Sequence, residues 1–157
     1  MTNFASATAC IDGEYRYTLT RVWDEALPTM TFVLLNPSTA DAKRLDPTLR
    51  RCVNFARREG FGGMLIVNLY AYRTKSPKVL KDAGYPVGPA NDRTLAAVTG
   101  TVVAGWGAGA QPARVTRALE LLPRLHVLDI TKNGHPRHPL YIPGAAPLVE
   151  WAPRSTG

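Results

Sequence analysis

Apolar and polar positions alternate from Tyr15 to Trp23, and the stretch is rich in aromatic and β-branched residues, which is typical of a strand with one buried face. The run from Met30 to Asn36 is apolar almost without interruption. This continuity is expected of a strand that is covered on both faces in a mainly parallel sheet. A break that contains Pro28 separates the two runs. We therefore predict a β-hairpin that leads into a central sheet.

A helix is predicted after the loop that follows the second run. Asp46 is suited to the N-cap and Pro47 to the first helical position. From Leu49 onward, apolar residues recur at the spacing of one helix face, while Arg50 and Arg57 lie on the opposite face. The pattern predicts a helix with a basic outer surface.

The remaining segments complete an α/β pattern. Strands are predicted at 64–69, 101–104 and 125–130, and helices at 91–98 and 113–122. The basic stretch 73–89 is too long for a turn, which indicates a functional or mobile connection. We predict one domain over residues 1–157, an α/β three-layer sandwich with a mainly parallel central sheet and an N-terminal β-hairpin.

Charge and composition narrow the function. The chain has 19 Lys and Arg against 12 Asp and Glu, a formal net charge of +7, so its surface attracts polyanions and DNA is the expected partner. No apolar run is long enough for a membrane span, and the start of the sequence lacks signal-peptide features. Two cysteines are too few for a four-cysteine metal site or a disulfide framework. We expect a cytoplasmic protein with no cofactor, no metal and no obligate protein partner.

Polar and aromatic residues follow the predicted strands, where open parallel sheets bind their ligands. Asn36 and Asn68 each end an apolar strand, and a buried amide without a partner costs about 1–3 kcal/mol. The alternative role is the start of a turn for Asn36 and a structural cap for Asn68. The other candidates are Tyr70, Tyr72, Trp106, His135 and His138. For the aromatic residues, packing in the core is the competing interpretation.

Five short motifs occur in order along the chain. They are Leu35–Asp41, Asp46–Thr48, Val67–Leu69, Asn91–Asp92 and His135–Tyr141. Together they resemble a bacterial and phage family known as domain of unknown function 1643.

Four strand-end motifs also carry a second resemblance. They are Asn36–Pro37, the segment 63–68 that ends in Asn68, Gly105–Gly107, and the two His-Pro pairs at His135 and His138. Over about residues 32–141, their order resembles the uracil-DNA glycosylase superfamily. The resemblance implies a fold of that superfamily, a water positioned by Asn36 and a base edge bound by Asn68. An asparagine at the first motif, as in the mismatch-specific branch, implies that an amide holds the water instead of a carboxylate.

The resemblance implies a DNA glycosylase that hydrolyses the N-glycosidic bond of a damaged, mismatched or modified base. His135 or His138 would stabilise charge on the leaving base, and Tyr70, Tyr72 or Trp106 would stack on a flipped base. Eight residues are candidates for contacts to the nucleic-acid backbone, because each carries a hydroxyl or a positive charge. They are Ser38, Thr39, Arg50, Arg57, Arg73, Lys75, Lys78 and Arg137.

The rival hypothesis keeps the fold and changes the function. It describes a non-catalytic nucleic-acid or nucleotide-binding module, or an enzyme that acts on free nucleotides, and the absent carboxylate favours it. The discriminating observation is whether Asn36, Asn68 and a histidine line one pocket wide enough for a base, since a phosphate binder needs no base-reading amide.

Overall fold

The computed structural model describes residues 4–38 and 46–153. Within these residues the strands are β1 (Ser6–Asp12), β2 (Tyr15–Val22), β3 (Thr29–Leu34), β4 (Gly63–Asn68), β5 (Val102–Ala104), β6 (Leu125–Val127) and β7 (Val149–Trp151). The helices are α1 (Pro47–Arg58), α2 (Pro77–Asp82), α3 (Asn91–Ala96) and α4 (Pro112–Leu121), with a short 3-10 helix at Pro139–Tyr141. Among the described residues, no helix has the length and apolarity that crossing a membrane requires.

The seven strands found in the described residues form one sheet in the order β1-β2-β4-β3-β5-β6-β7. The four central strands, β4, β3, β5 and β6, run parallel to one another. Antiparallel strands complete both edges, with β2 beside β4 and β7 beside β6. The predicted α/β class with a parallel central sheet is therefore confirmed, and the carboxyl ends of the parallel strands meet at one edge.

Helices cover both faces of the sheet. Alternate side chains of β3 point to opposite faces, so Phe32 packs in the core beneath α1, while Val33 packs in the core formed with α2, α3 and α4. Burial on both faces explains why the central strands are apolar almost without interruption.

The N-terminal hairpin is formed by a different pair of strands from the predicted pair. Strand β2 pairs with β1, a segment that the sequence pattern did not predict, and on its other side with β4 instead of β3. Gly13, with φ of +58°, makes the tight turn between β1 and β2. Strand β1 escaped prediction because it is an edge strand with mostly exposed side chains, so it has no apolar face to detect.

The basic connection at 73–89 also contains more structure than predicted. It includes α2, whose first turn is capped by Ser76, since the Ser76 hydroxyl accepts a hydrogen bond from the Val79 amide. The buried side chain of Leu80 anchors this short helix to the sheet. The segment is therefore a packed part of the domain.

Candidate functional site

A cavity of about 540 Å³ lies at the carboxyl ends of β3 and β4, beside the first turn of α1. We call it the strand-end cavity. Asn36, Asn68 and His138 all line it, so the two amides and one histidine share one pocket as the sequence predicted. Its volume lies within the roughly 300–1,000 Å³ that is usual for small-molecule sites. The cavity can therefore hold a ligand the size of a nucleoside.

Asn68 presents a buried amide to this cavity. The residue is 1% exposed, and neither its Oδ1 nor its Nδ2 has a hydrogen-bond partner among the described residues. Folded proteins pair nearly all such groups, because an unpaired buried donor or acceptor costs about 1–3 kcal/mol. A ligand that accepts from Nδ2 and donates to Oδ1 would remove this cost.

The backbone around Asn68 is held rigidly from the opposite face of the sheet. The Nδ2 of the fully buried Asn91 donates to the carbonyls of Asn68 and Leu69, at 2.9 Å and 3.1 Å. The Nε of Arg114 donates to the Leu69 carbonyl at 2.7 Å, and its Nη1 pairs with Asp92 at 2.6 Å. These contacts fix the end of β4, and sequence reasoning had given no role to Asn91, Asp92 or Arg114.

The charge on Asp92 is stabilised by its arginine neighbours. Burial opposes ionisation, but hydrogen bonds and positive charge from Arg114 and Arg117 outweigh it and lower the pKa of Asp92. The carboxylate therefore stays ionised at neutral pH and keeps Arg114 oriented toward the Leu69 carbonyl.

Asn36 ties the loop after β3 to the segment that follows β4. Its Nδ2 donates to the carbonyls of Thr74 and Pro37, at 2.9 Å and 3.1 Å. Because a carbonyl oxygen can only accept hydrogen bonds, the atom that faces these backbone carbonyls is the amide nitrogen. The atom left for a ligand is Oδ1, which can accept a hydrogen bond from a water molecule.

His138 caps the 3-10 helix and lines the cavity. Its Nδ1 accepts a hydrogen bond from the Leu140 amide at 3.2 Å, so the neutral ring carries its proton on Nε2. Burial lowers the pKa of His138, and the negative charge of Asp46 only partly opposes this. The ring is therefore neutral at neutral pH, with one N–H available to donate.

Two charged residues in the cavity had no predicted role there. Arg16 on β2 is 2% exposed, and burial lowers its pKa to about 10, with Asp46 opposing the shift. It remains protonated at neutral pH. Asp46, predicted only as a helix cap, does cap α1 and also lines the cavity. In the described part of the chain, no group of three or more His, Cys, Asp or Glu residues is arranged to hold a metal ion.

The three aromatic residues predicted to stack on a base do not line the strand-end cavity. Tyr70 is buried, and its hydroxyl accepts a hydrogen bond from the Gln111 amide at 2.9 Å. Trp106 packs edge to face on Trp151 with ring centroids 5.6 Å apart. Tyr72 contributes its backbone carbonyl to Asn36 and packs against the core on the α4 side. Among the described residues, the only aromatic ring at the cavity is the imidazole of His138.

The two candidate histidines lie in different places. His135 lines a second groove, of about 560 Å³, together with Trp106, Trp151 and apolar residues of α4. Its backbone amide donates to the Thr131 hydroxyl at 3.1 Å. The structure therefore separates His135 from Asn36 and Asn68, and His138 is the histidine that accompanies them.

The predicted backbone-contact residues are dispersed. Ser38 and Lys75 line the strand-end cavity, and Arg50 is exposed on α1. Three others have intramolecular contacts, since Arg57 covers the Trp23 ring, Lys78 pairs with Asp82 and Arg137 pairs with Asp129. Arg73 lies close enough to Arg16 for its charge to lower the pKa of Arg16, and Thr39 is outside the described residues.

A family model described as "Protein of unknown function (DUF1643)" matches residues 16–140. The chain belongs to this family. The DUF1643 match runs from Arg16 to Leu140, so it includes every described residue that lines the strand-end cavity. No curated protein and no solved structure matches the chain.

Proposed function

We propose that the strand-end cavity binds a nucleobase and that the protein is a DNA glycosylase-like enzyme, which hydrolyses the N-glycosidic bond of a damaged, mismatched or modified base. The observation that carries the proposal is the amide of Asn68, which is buried, has no partner among the described residues and belongs to a residue that lines the cavity. The structural Asn91 pairs its Nδ2 within the protein, whereas Asn68 pairs neither of its amide atoms among the described residues. The edge of a nucleobase offers a donor and an acceptor side by side, as this amide requires.

The groups around the cavity suit the charges that develop during this reaction. Breaking the bond between base and sugar leaves positive character on the sugar and negative charge on the base. The Oδ1 of Asn36, which has no partner among the described residues, would orient the attacking water, and Nε2–H of His138 would donate to the leaving base. The buried positive charge of Arg16 adds to the stabilisation of an anionic base.

DNA binding is part of the same proposal. The formal net charge of +7 attracts the DNA backbone, and Lys75 at the cavity provides a phosphate contact beside the bound base. The resemblance of the strand-end motifs to the uracil-DNA glycosylase superfamily supports this assignment. Pro37 provides an apolar surface in the cavity that would contact a face of the base.

A second candidate function is the hydrolysis or binding of a free nucleotide. Two observations favour it: the buried guanidinium of Arg16 would pair with a phosphate, and Tyr70, Tyr72 and Trp106 are not at the cavity to stack on a flipped base. This candidate uses the same Asn68 amide to bind the base.

The test is an incubation of the protein with oligonucleotides that carry a panel of damaged, mismatched and modified bases, followed by cleavage of abasic sites with alkali. We expect abasic sites with at least one base and a loss of about 10²–10³ in rate for Asn68→Ala. Asn54→Ala, at an exposed asparagine of α1, is the matched control and should keep the wild-type rate.

Each result distinguishes the two candidates. Base release from oligonucleotides supports the glycosylase. Base release from nucleoside monophosphates only supports the free-nucleotide enzyme. Binding without base release from either substrate contradicts both enzymatic proposals and supports the binding module.

A further inference from the structure

The proposed reaction needs a negatively charged group that the residues assigned a role in it so far do not supply. An amide such as that of Asn36 can orient a water molecule, but it cannot accept the proton that the water loses. The positive charge on the sugar also needs a negative partner. Within the described residues that line the strand-end cavity, the only carboxylate is that of Asp46.

We infer that Asp46 is a catalytic carboxylate of this cavity, which accepts the proton of the attacking water and stabilises the positive sugar. The inference rests on the proposed function. Asp46 shares the cavity with Asn36, with His138 and with the unpaired buried amide of Asn68, so the residue that would bind the base and the carboxylate face the same space.

The contacts of Asp46 orient the carboxylate and leave part of it free. Its Oδ1 accepts from the Leu49 amide and its Oδ2 accepts from the Ser38 hydroxyl, both at 2.8 Å. A carboxylate has about four acceptor positions, so one on each oxygen has no partner among the described residues and can accept from a ligand or a water molecule. The N-terminus of the twelve-residue helix α1 favours the negative charge.

The charge of Asp46 already acts on the other residues of the site. It opposes the effect of burial on the pKa of both Arg16 and His138. The charge of Asp46 therefore reaches two other residues that line the cavity.

The reaction balances with these residues alone. The water oxygen forms a bond to the anomeric carbon of the sugar while the bond from that carbon to the base nitrogen breaks. The electron pair of the broken bond leaves with the base, which Nε2–H of His138 and Asn68 hold by hydrogen bonds. The water proton passes to Asp46 and then to solvent, and the base takes a proton from solvent.

The competing role is a helix cap only, and Asp46→Asn separates the two. Asparagine caps helices about as well as aspartate, so this variant keeps the cap and loses the charge and the basicity. Asp46→Ala loses the cap as well as the charge, so its lower melting temperature measures the contribution of the cap to stability. Glu25→Gln, at an exposed acid, is the control for the change of net charge.

The test measures binding by fluorescence anisotropy, so it needs no identified base. The probes are two oligonucleotide duplexes, one with a cationic pyrrolidine and one with a neutral tetrahydrofuran in place of a nucleotide's sugar. We expect the wild type and Glu25→Gln to bind the cationic probe about tenfold more tightly, as a partly screened charge pair predicts. Asp46→Asn should bind both probes equally, with a melting temperature closer to that of the wild type than the melting temperature of Asp46→Ala.

A preference for the cationic probe that persists in Asp46→Asn would overturn the inference, as would a wild type that binds both probes equally. Either result leaves the proposed function standing if the wild type releases a base. A wild type that binds neither probe and releases no base overturns the proposed function and, with it, the inference.

Discussion

Replacing Asn68 with leucine should stabilise the free protein and abolish ligand binding. The native residue is 1% exposed, and its Oδ1 and Nδ2 have no partner in the part of the chain that the structure describes. Each unpaired buried group costs about 1–3 kcal/mol. Leucine has the same number of side-chain heavy atoms as asparagine and carries no polar atom. It removes this cost and buries apolar surface at the wall of the cavity.

We expect Asn68→Leu to raise the free energy of unfolding by about 1–3 kcal/mol. For a chain of this length, each kcal/mol raises the melting temperature by roughly 2–4 °C. Urea denaturation and calorimetry measure the two quantities. The same variant should release no base and should lose affinity for any base-containing ligand.

Asn91→Leu is the matched control. Asn91 is equally buried and its Oδ1 also has no partner among the described residues, but its Nδ2 donates to the carbonyls of Asn68 and Leu69. Leucine there leaves both carbonyls without this donor. We expect a destabilisation of about 1–3 kcal/mol. If Asn68→Leu destabilises the protein as much as Asn91→Leu does, Asn68 is a structural residue and its amide is not held ready for a ligand.

Three further results are expected. Burial lowers the pKa of His138 below its ordinary 6.5, so as the pH falls the unfolded chain takes up this proton at a higher pH than the folded protein does. The contribution of the neutral ring to the free energy of unfolding is therefore complete above pH 6.5 and is lost as the pH falls. Urea titrations should show this loss in the wild type, and an unchanged pH dependence in His138→Gln would contradict it. Arg114→Met should lower the free energy of unfolding by about 1.5–3 kcal/mol, because the Leu69 carbonyl and Asp92 lose a charged donor; a change in urea stability below about 0.5 kcal/mol would contradict this. Lys75→Ala should reduce the magnitude of the slope of log affinity against log salt on duplex DNA by about 0.9. Lys78→Ala should change this slope less, because the ammonium of Lys78 already pairs with Asp82. An affinity that does not depend on salt would exclude contacts to the DNA backbone.

The core elements were predictable because their patterns are strong. The two apolar strands 30–36 and 64–69 appear as β3 and β4, and α1 begins at Pro47 after the Asp46 cap as predicted. The edge strands β1 and β7 were missed because most of their side chains are exposed. Helix α2 was missed because six residues are too short for a periodic signal.

The site was predictable only in part. Asn36, Asn68 and His138 follow from the rule that strand ends carry the ligand site. Arg16 could not be found, because an arginine in an alternating strand is assigned to the solvent face, whereas here both Arg16 and Tyr17 are buried. The residues after β4 and β5 could not be assigned to a face from sequence, and Tyr70 and Trp106 lie in the core on the α4 side.

The central claim is that the side-chain amide of Asn68 binds a nucleobase. Its Nδ2H₂ signal in a ¹⁵N-correlation spectrum, assigned by its loss in Asn68→Leu, reports on this contact directly. We predict that the signal shifts on addition of an oligonucleotide or nucleotide that carries the recognised base, and stays unchanged with inorganic phosphate. A signal that every base-containing ligand of the panel leaves unchanged, or that phosphate alone shifts, would contradict the claim.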